Sequence, residues 1–215
     1  MNGIGGTKTG LRKFVTASVF TGLIFLLAFT PFGFINLVVI KSTVIHIPVI
    51  VGSLTLGPYW GAFLGAMFGV TSLIINSTAP SLLSFAFSPL IPLPGAPGGS
   101  LWALVVCFVP RVLVGIVPWH ADRLLQKFSF TKKTRLLSLF ISGAAGSLTN
   151  TLLVMHLIYF LFGNSYAAVR NVAFEAVYGL VLGIIMANGI PEAILAGVLT
   201  SSIRKAMEAR EKGRN

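Results

Sequence analysis

The sequence predicts an all-α integral membrane protein with six transmembrane helices and a long outward-facing loop between helices 3 and 4. Three observations carry this expectation. Only 10% of the 215 residues are charged and 55% are apolar, whereas a soluble domain is roughly 25% charged. Mean hydropathy is +0.89. The apolar residues are gathered into segments near the ~20 residues that a spanning helix needs.

The elements follow in order along residues 1–215, read as a single transmembrane domain. Residues 14–29 form the first helix, behind Lys8, Arg12 and Lys13. No small-x-small cleavage signal follows it, so the helix is expected to be retained. Residues 33–41, GFINLVVIK, are rich in β-branched side chains and follow Pro-Phe-Gly, which points to an extended loop. Helix 2 spans 43–56 and ends at a Gly57-Pro58 turn; helix 3 spans 60–76. Residues 77–99 carry Pro80, Pro89, Pro92, Pro94 and Pro97, so they form a structured loop of a length often tied to function. Helices 4, 5 and 6 are expected at 101–119, 136–162 and 177–203, with Gly189 and Pro191 breaking the last.

Charge sets the topology. The net charge is +11, from 16 basic and five acidic residues. Thirteen of the basic residues fall in the N-terminus (Lys8, Arg12, Lys13), the fourth-to-fifth connection (Arg123, Lys127, Lys132, Lys133, Arg135) and the tail (Arg204, Lys205, Arg210, Lys212, Arg214). Lys41 and Arg170 lie on the opposite side. The positive-inside rule then puts both termini in the cytoplasm of a plasma-membrane protein. The 33–42 stretch and the 77–99 loop face outside, as candidate lids over an outward cavity.

The remaining cation, Arg111 in CFVPRVLVGIVPW, sits midway along helix 4. An arginine at the centre of a membrane helix costs about 2.5–3.5 kcal/mol on insertion scales, so it should face the bundle interior with a partner. The other segments offer no carboxylate at its depth, since Glu192 is expected nearer the inner half of helix 6. Two roles stand side by side: the guanidinium holds an anionic ligand, or it is a structural group bonded to backbone carbonyls or to Glu192. Asn150 and Asn76 are buried amides suited to a polar ligand; Asn188 is expected to tie a broken helix together. Trp102, Tyr178, Phe68, Phe87 and His46 complete the candidate binding set, although Trp102 and Tyr178 also fit interfacial aromatics. Cys107 reads as a small buried apolar residue, and neither a disulfide nor a metal cluster is available.

Glycines at 61, 65 and 69 form a small-residue ridge for close helix packing, and Gly179 and Gly183 repeat the spacing. Ala17, Ser18, Thr21 and Gly22 put small residues on a face of helix 1. The 215 residues hold no Walker A sequence, no HExxH and no GxSxG, so ATP hydrolysis and the common hydrolase chemistries are not expected of this chain.

The stretches HIPVIVGSLTLGPYWGAFLGAMFGVTSLI (46–74) and NGIPEAILAGVLTSSI (188–203) resemble the substrate-binding S components of energy-coupling factor (ECF) vitamin transporters. SFAFSPLIPLPGAPGGS followed by FVPRVLVG is most similar to the pantothenate-specific type. The resemblance implies a membrane-embedded vitamin-binding subunit that is not an enzyme and has no cofactor of its own. It implies partners too: a transmembrane coupling protein and two ATPases that use ATP. Ala17, Ser18, Thr21 and Gly22 would then face the coupling protein, with threonine where the family's small-residue motif has its second alanine. A standalone secondary carrier for a small organic anion is the competing expectation, and a membrane enzyme or assembly protein a more distant one.

Overall fold

The computed structural model describes residues 4–31, 34–37, 40–127 and 135–213. Lys132, Lys133 and Arg214, used above for topology, lie outside the described residues. The elements are α1 (Ile4–Phe29), a hairpin of β1 (Phe34–Leu37) and β2 (Ile40–Thr43), α2 (His46–Leu56), α3 (Pro58–Thr78), α4 (Trp102–Lys127), α5 (Arg135–Arg170), α6 (Phe174–Ile184) and α7 (Ile190–Lys212).

Among the described residues five helical spans, not six, are long and apolar enough to cross a membrane: Gly10–Phe29, Pro58–Thr78, Trp102–Lys127, Arg135–Arg170 and the combined Phe174–Arg210. The expected second spanning helix is instead an 11-residue helix, α2, in which His46 through Leu54 are all buried. Such a length suits a core helix better than a span. α2 packs against α1, α3, α4, α5 and α7, and a helix apolar on every side is at home only inside a bundle. Within the expected 33–41 stretch, the described residues 34–37 and 40–41 are extended: β1 and β2 pair antiparallel, Phe34 opposite Thr43 and Leu37 opposite Ile40. Thr43, expected in helix 2, therefore belongs to the hairpin.

The glycine ridge of α3 has an internal partner, α4. A Cβ at Gly61 would collide with the Gly115 carbonyl, one at Gly65 with the Arg111 carbonyl, and one at Gly69 with the Phe108 ring. Gly179 and Gly183 do not repeat the device, because open space surrounds the positions their Cβ atoms would take. α4 runs eight residues beyond the expected Trp119 end, to Lys127, and carries Pro110 and Pro118 in its interior. α5 also outruns its expected end and passes a non-helical residue at Phe162.

The expected break at Gly189–Pro191 is not a break. Residues Ile185–Gly189 widen into a π-turn and the helix continues. Pro191 has no N–H to close an α-turn onto the preceding turn, so a wider turn there loses less than a regular one would.

The core has two parts. One gathers Phe20, Ile24, Ile50, Leu64, Phe68 and Val114 around α2. The other gathers Phe85, Val106, Ile158, Phe162, Tyr166 and Val181 under the 79–101 loop. That loop is anchored by a one-turn 3-10 helix at Ser84–Ala86, all of it buried.

Candidate substrate pocket

The pocket forms where α3, α4, α5 and α7 meet the start of α2. It is a cavity of about 230 Å³. α3 supplies Phe68, Thr71, Ser72, Ile75 and Asn76; Ile45 precedes α2; Arg111, Asn150 and Glu192 come from α4, α5 and α7. The close approach of α3 and α4 at Gly65 sets the geometry. It brings Phe68, one turn along α3, against Arg111.

Arg111 is only 7% exposed. Its placement follows from the residue before it. Pro110 has no N–H, so the Val106 carbonyl one turn earlier loses its helical donor. Arg111 Nη1 donates to that carbonyl oxygen at 2.6 Å. The same guanidinium lies 4.9 Å from the Phe87 ring centroid and 5.7 Å from that of Phe68. A guanidinium carries five N–H donors. The Nε donor is buried and has no hydrogen-bond partner among the described residues. Of the two expected roles, the carbonyl-bonded one is present, but it engages only part of the donor fork.

Asn150 Oδ1 is likewise buried and accepts no hydrogen bond among the described residues. A buried amide oxygen without a donor costs free energy that a bound ligand can recover. Asn76 differs. Its Nδ2 donates to the Ser72 carbonyl at 2.8 Å, and its Oδ1 accepts from Ser84 Oγ at 2.7 Å. It lines the cavity, and it also ties α3 to the 3-10 turn that delivers Phe87. Thr71 donates its hydroxyl to the Phe68 carbonyl at 2.8 Å, which leaves its oxygen lone pairs as acceptors.

Four expected site residues lie outside this cavity's lining, and one of them, Phe87, still meets the Arg111 guanidinium. Trp102 is 59% exposed at the start of α4. Tyr178 belongs to an aromatic cluster, 5.2 Å from Tyr159 and 6.2 Å from His156. His46 is buried in α2, beside Ile45 in sequence, which does line the cavity. The expectation that Arg111 has no carboxylate at its depth is overturned: Glu192 lines the same cavity. The π-turn is the reason. It adds residues to one turn and rotates the following helix, a shift that 3.6-residue periodicity does not anticipate. Gly189, at the end of that turn, packs on Thr151, next to Asn150.

On α1, Ala17 is 1% exposed and faces the bundle. With Ser18 and Thr21 it lines a shallow groove against Trp60 and Phe63, while Gly22 meets open space.

A buried, partly engaged guanidinium and an unengaged amide oxygen thus come together at one small cavity. Residues 12–204 match the family of ECF transporter substrate-specific components. The chain belongs to that family. This S component is also 36% identical over 169 residues, 78% of each chain, to the pantothenic acid transporter PanT of Lactococcus lactis subsp. cremoris (strain MG1363). As an S component it is a multi-pass membrane transport subunit and not an enzyme, and it uses no cofactor itself; ATP is used by partner subunits.

Proposed function

We propose that this S component binds pantothenate and delivers it to the cell as part of an ATP-driven ECF importer. One observation supports the substrate: the Arg111 guanidinium, held by Val106 and two aromatic rings, keeps a buried donor free beside the cavity. Pantothenate supplies one carboxylate to that fork. Its amide and hydroxyl groups suit Asn150, and its gem-dimethyl group suits Phe68 and Ile75. The volume, about 230 Å³, is below the ~300–1,000 Å³ of drug-sized sites, which favours a small vitamin over riboflavin or folate. The name of the Lactococcus relative points the same way. Asn76 and Phe87 shape the site, the first by holding the loop and the second by covering Arg111.

In this reading both termini are cytoplasmic, and the hairpin and the 79–101 loop face outside. The S component docks on a coupling protein bound to two ATPases, reorients in the membrane and releases the vitamin inside. The docking face is on α1, through Ser18 and Gly22, with Ala17 and Thr21 at the groove behind them. Calorimetric titration of the purified chain with pantothenate tests the substrate. Binding by the unmodified protein and none by a folded Arg111→Ala variant is expected; full-affinity binding by that variant refutes the site. The competing reading, a standalone carrier for a small organic anion, predicts pantothenate uptake by this chain alone in ATP-depleted vesicles. Co-purification of a coupling protein with two ATPases is the result expected instead.

A further inference from the structure

The pocket divides its hydrogen-bonding capacity between its walls. The α4 wall presents a cation and donors, through Arg111. The α5 and α7 walls present acceptors: the unengaged Asn150 Oδ1 and the Glu192 carboxylate. A monoanion that carries its carboxylate at one end and hydroxyl or N–H donors at the other matches both walls. A second carboxylate would meet Glu192 with like charge.

We propose that Glu192 is a specificity-determining residue that reads the hydroxyl groups of the ligand whose carboxylate Arg111 holds. The inference rests on the pantothenate reading above and adds to it a selection rule. The carboxylate of Glu192 accepts from a ligand hydroxyl, with Asn150 Oδ1 as the neighbouring acceptor for a second donor. A site built to hydrogen-bond a ligand hydroxyl discriminates strongly against the analogue lacking it, because the site's own polar groups are left unpaired. The π-turn at Ile185–Gly189 is what makes this possible. It sets the phase in which α7 leaves the turn, and Glu192 follows it by three residues.

The test is a double-mutant cycle between ligand and protein. Pantothenate and an N-acyl-β-alanine of the same branched skeleton without hydroxyls are titrated into the unmodified chain, Glu192→Gln and Glu192→Leu. In the unmodified chain, removing the hydroxyls should weaken binding roughly 10- to 100-fold, the range for hydrogen bonds to a charged acceptor. In Glu192→Leu that ratio should collapse toward one, with the deoxy analogue binding about as well as before. Glu192→Gln keeps a neutral acceptor and should fall between; it carries the measurement if the leucine variant does not fold. A ratio unchanged in the variants overturns the role of Glu192 while leaving pantothenate binding intact. Failure of the unmodified chain to bind pantothenate overturns the substrate reading, and this inference with it.

Discussion

Arg111 supplies the Val106 carbonyl with the hydrogen bond that Pro110 withholds, at 2.6 Å. The proline and the arginine therefore act together. The proline creates an orphan acceptor inside the membrane, where an unsatisfied carbonyl is costly, and the arginine is fixed by answering it. Pro110→Ala restores the backbone N–H and releases the guanidinium. The expected outcome is a thermal stability equal to or above that of the unmodified protein, because a helix-interior proline is removed. Affinity for pantothenate should nevertheless fall severalfold, as ordering the arginine becomes part of binding. Calorimetry and thermal unfolding of one variant measure both.

Phe87 and Phe68 both contact the Arg111 guanidinium. Their rings stabilise the cation where water is excluded, by about 0.5–2 kcal/mol each. Phe87→Leu keeps apolar volume and removes the π face. Binding should weaken about threefold to thirtyfold, while the 79–101 loop stays anchored by Ser84 on Asn76. An unchanged dissociation constant would mean that the ring only fills space.

Much of this architecture is legible in the sequence, for identifiable reasons. Arg111 is conspicuous because a bilayer makes an isolated cation expensive. The α3 glycines are legible because contact between helix backbones demands them. Two features are hidden. α2 has the hydropathy of a spanning helix, and only its 11 residues and burial on all sides mark it as core. Glu192 is hidden because the sequence marks a break at Gly189 and Pro191 but not the phase in which the helix continues past Ile185–Gly189. A π-turn has no fixed residue signature, although an Asn-Gly-Ile-Pro run signals that the regular hydrogen-bond ladder fails there. Phe87 is legible as a candidate binding residue, but its contact with Arg111 is not, because the loop that carries it is held by the Asn76–Ser84 hydrogen bond, which joins residues with no shared motif.

Gly65 and Gly179 make a controlled pair. A Cβ at Gly65 would overlap the Arg111 carbonyl and the Val112 backbone, whereas one at Gly179 meets nothing within 4 Å. Gly65→Ala must push α3 off α4 beside the pocket, at a cost of about 1–3 kcal/mol, with loss of affinity. Gly179→Ala should be neutral, or stabilising by up to about 1 kcal/mol from helix propensity. Thermal unfolding of both in the same detergent decides whether the α3–α4 seam, rather than glycine content, sets stability.

At the far end of the bundle Arg135 joins three helices. It pairs with Asp122 of α4 and, at 2.8 Å, with Glu208 of α7. Asp122 is 7% exposed and also accepts from Ser138 Oγ at 2.6 Å and Gln126 Nε2 at 2.7 Å. Arg135→Ala leaves that buried carboxylate without its cation, a larger loss than that of an exposed pair. A lowered melting temperature is expected. The double variant with Asp122→Asn should recover part of the loss, since the stranded charge is gone. Additive losses in the double variant would show that the two residues act independently.

The charge distribution makes a topological prediction that the native thiol helps to test. Cys107 is fully buried and its Sγ donates to the Gly69 carbonyl at 3.3 Å, so it should not react with maleimide while the protein is folded. Single cysteines can therefore be introduced without removing it. Ser81 is exposed in the 79–101 loop, and Lys127 is exposed at the end of α4, among the basic residues of the opposite face. With both termini cytoplasmic, Ser81→Cys should react with a membrane-impermeant maleimide on intact cells. Lys127→Cys should react only after permeabilisation. The reverse pattern would overturn the orientation drawn from the basic residues.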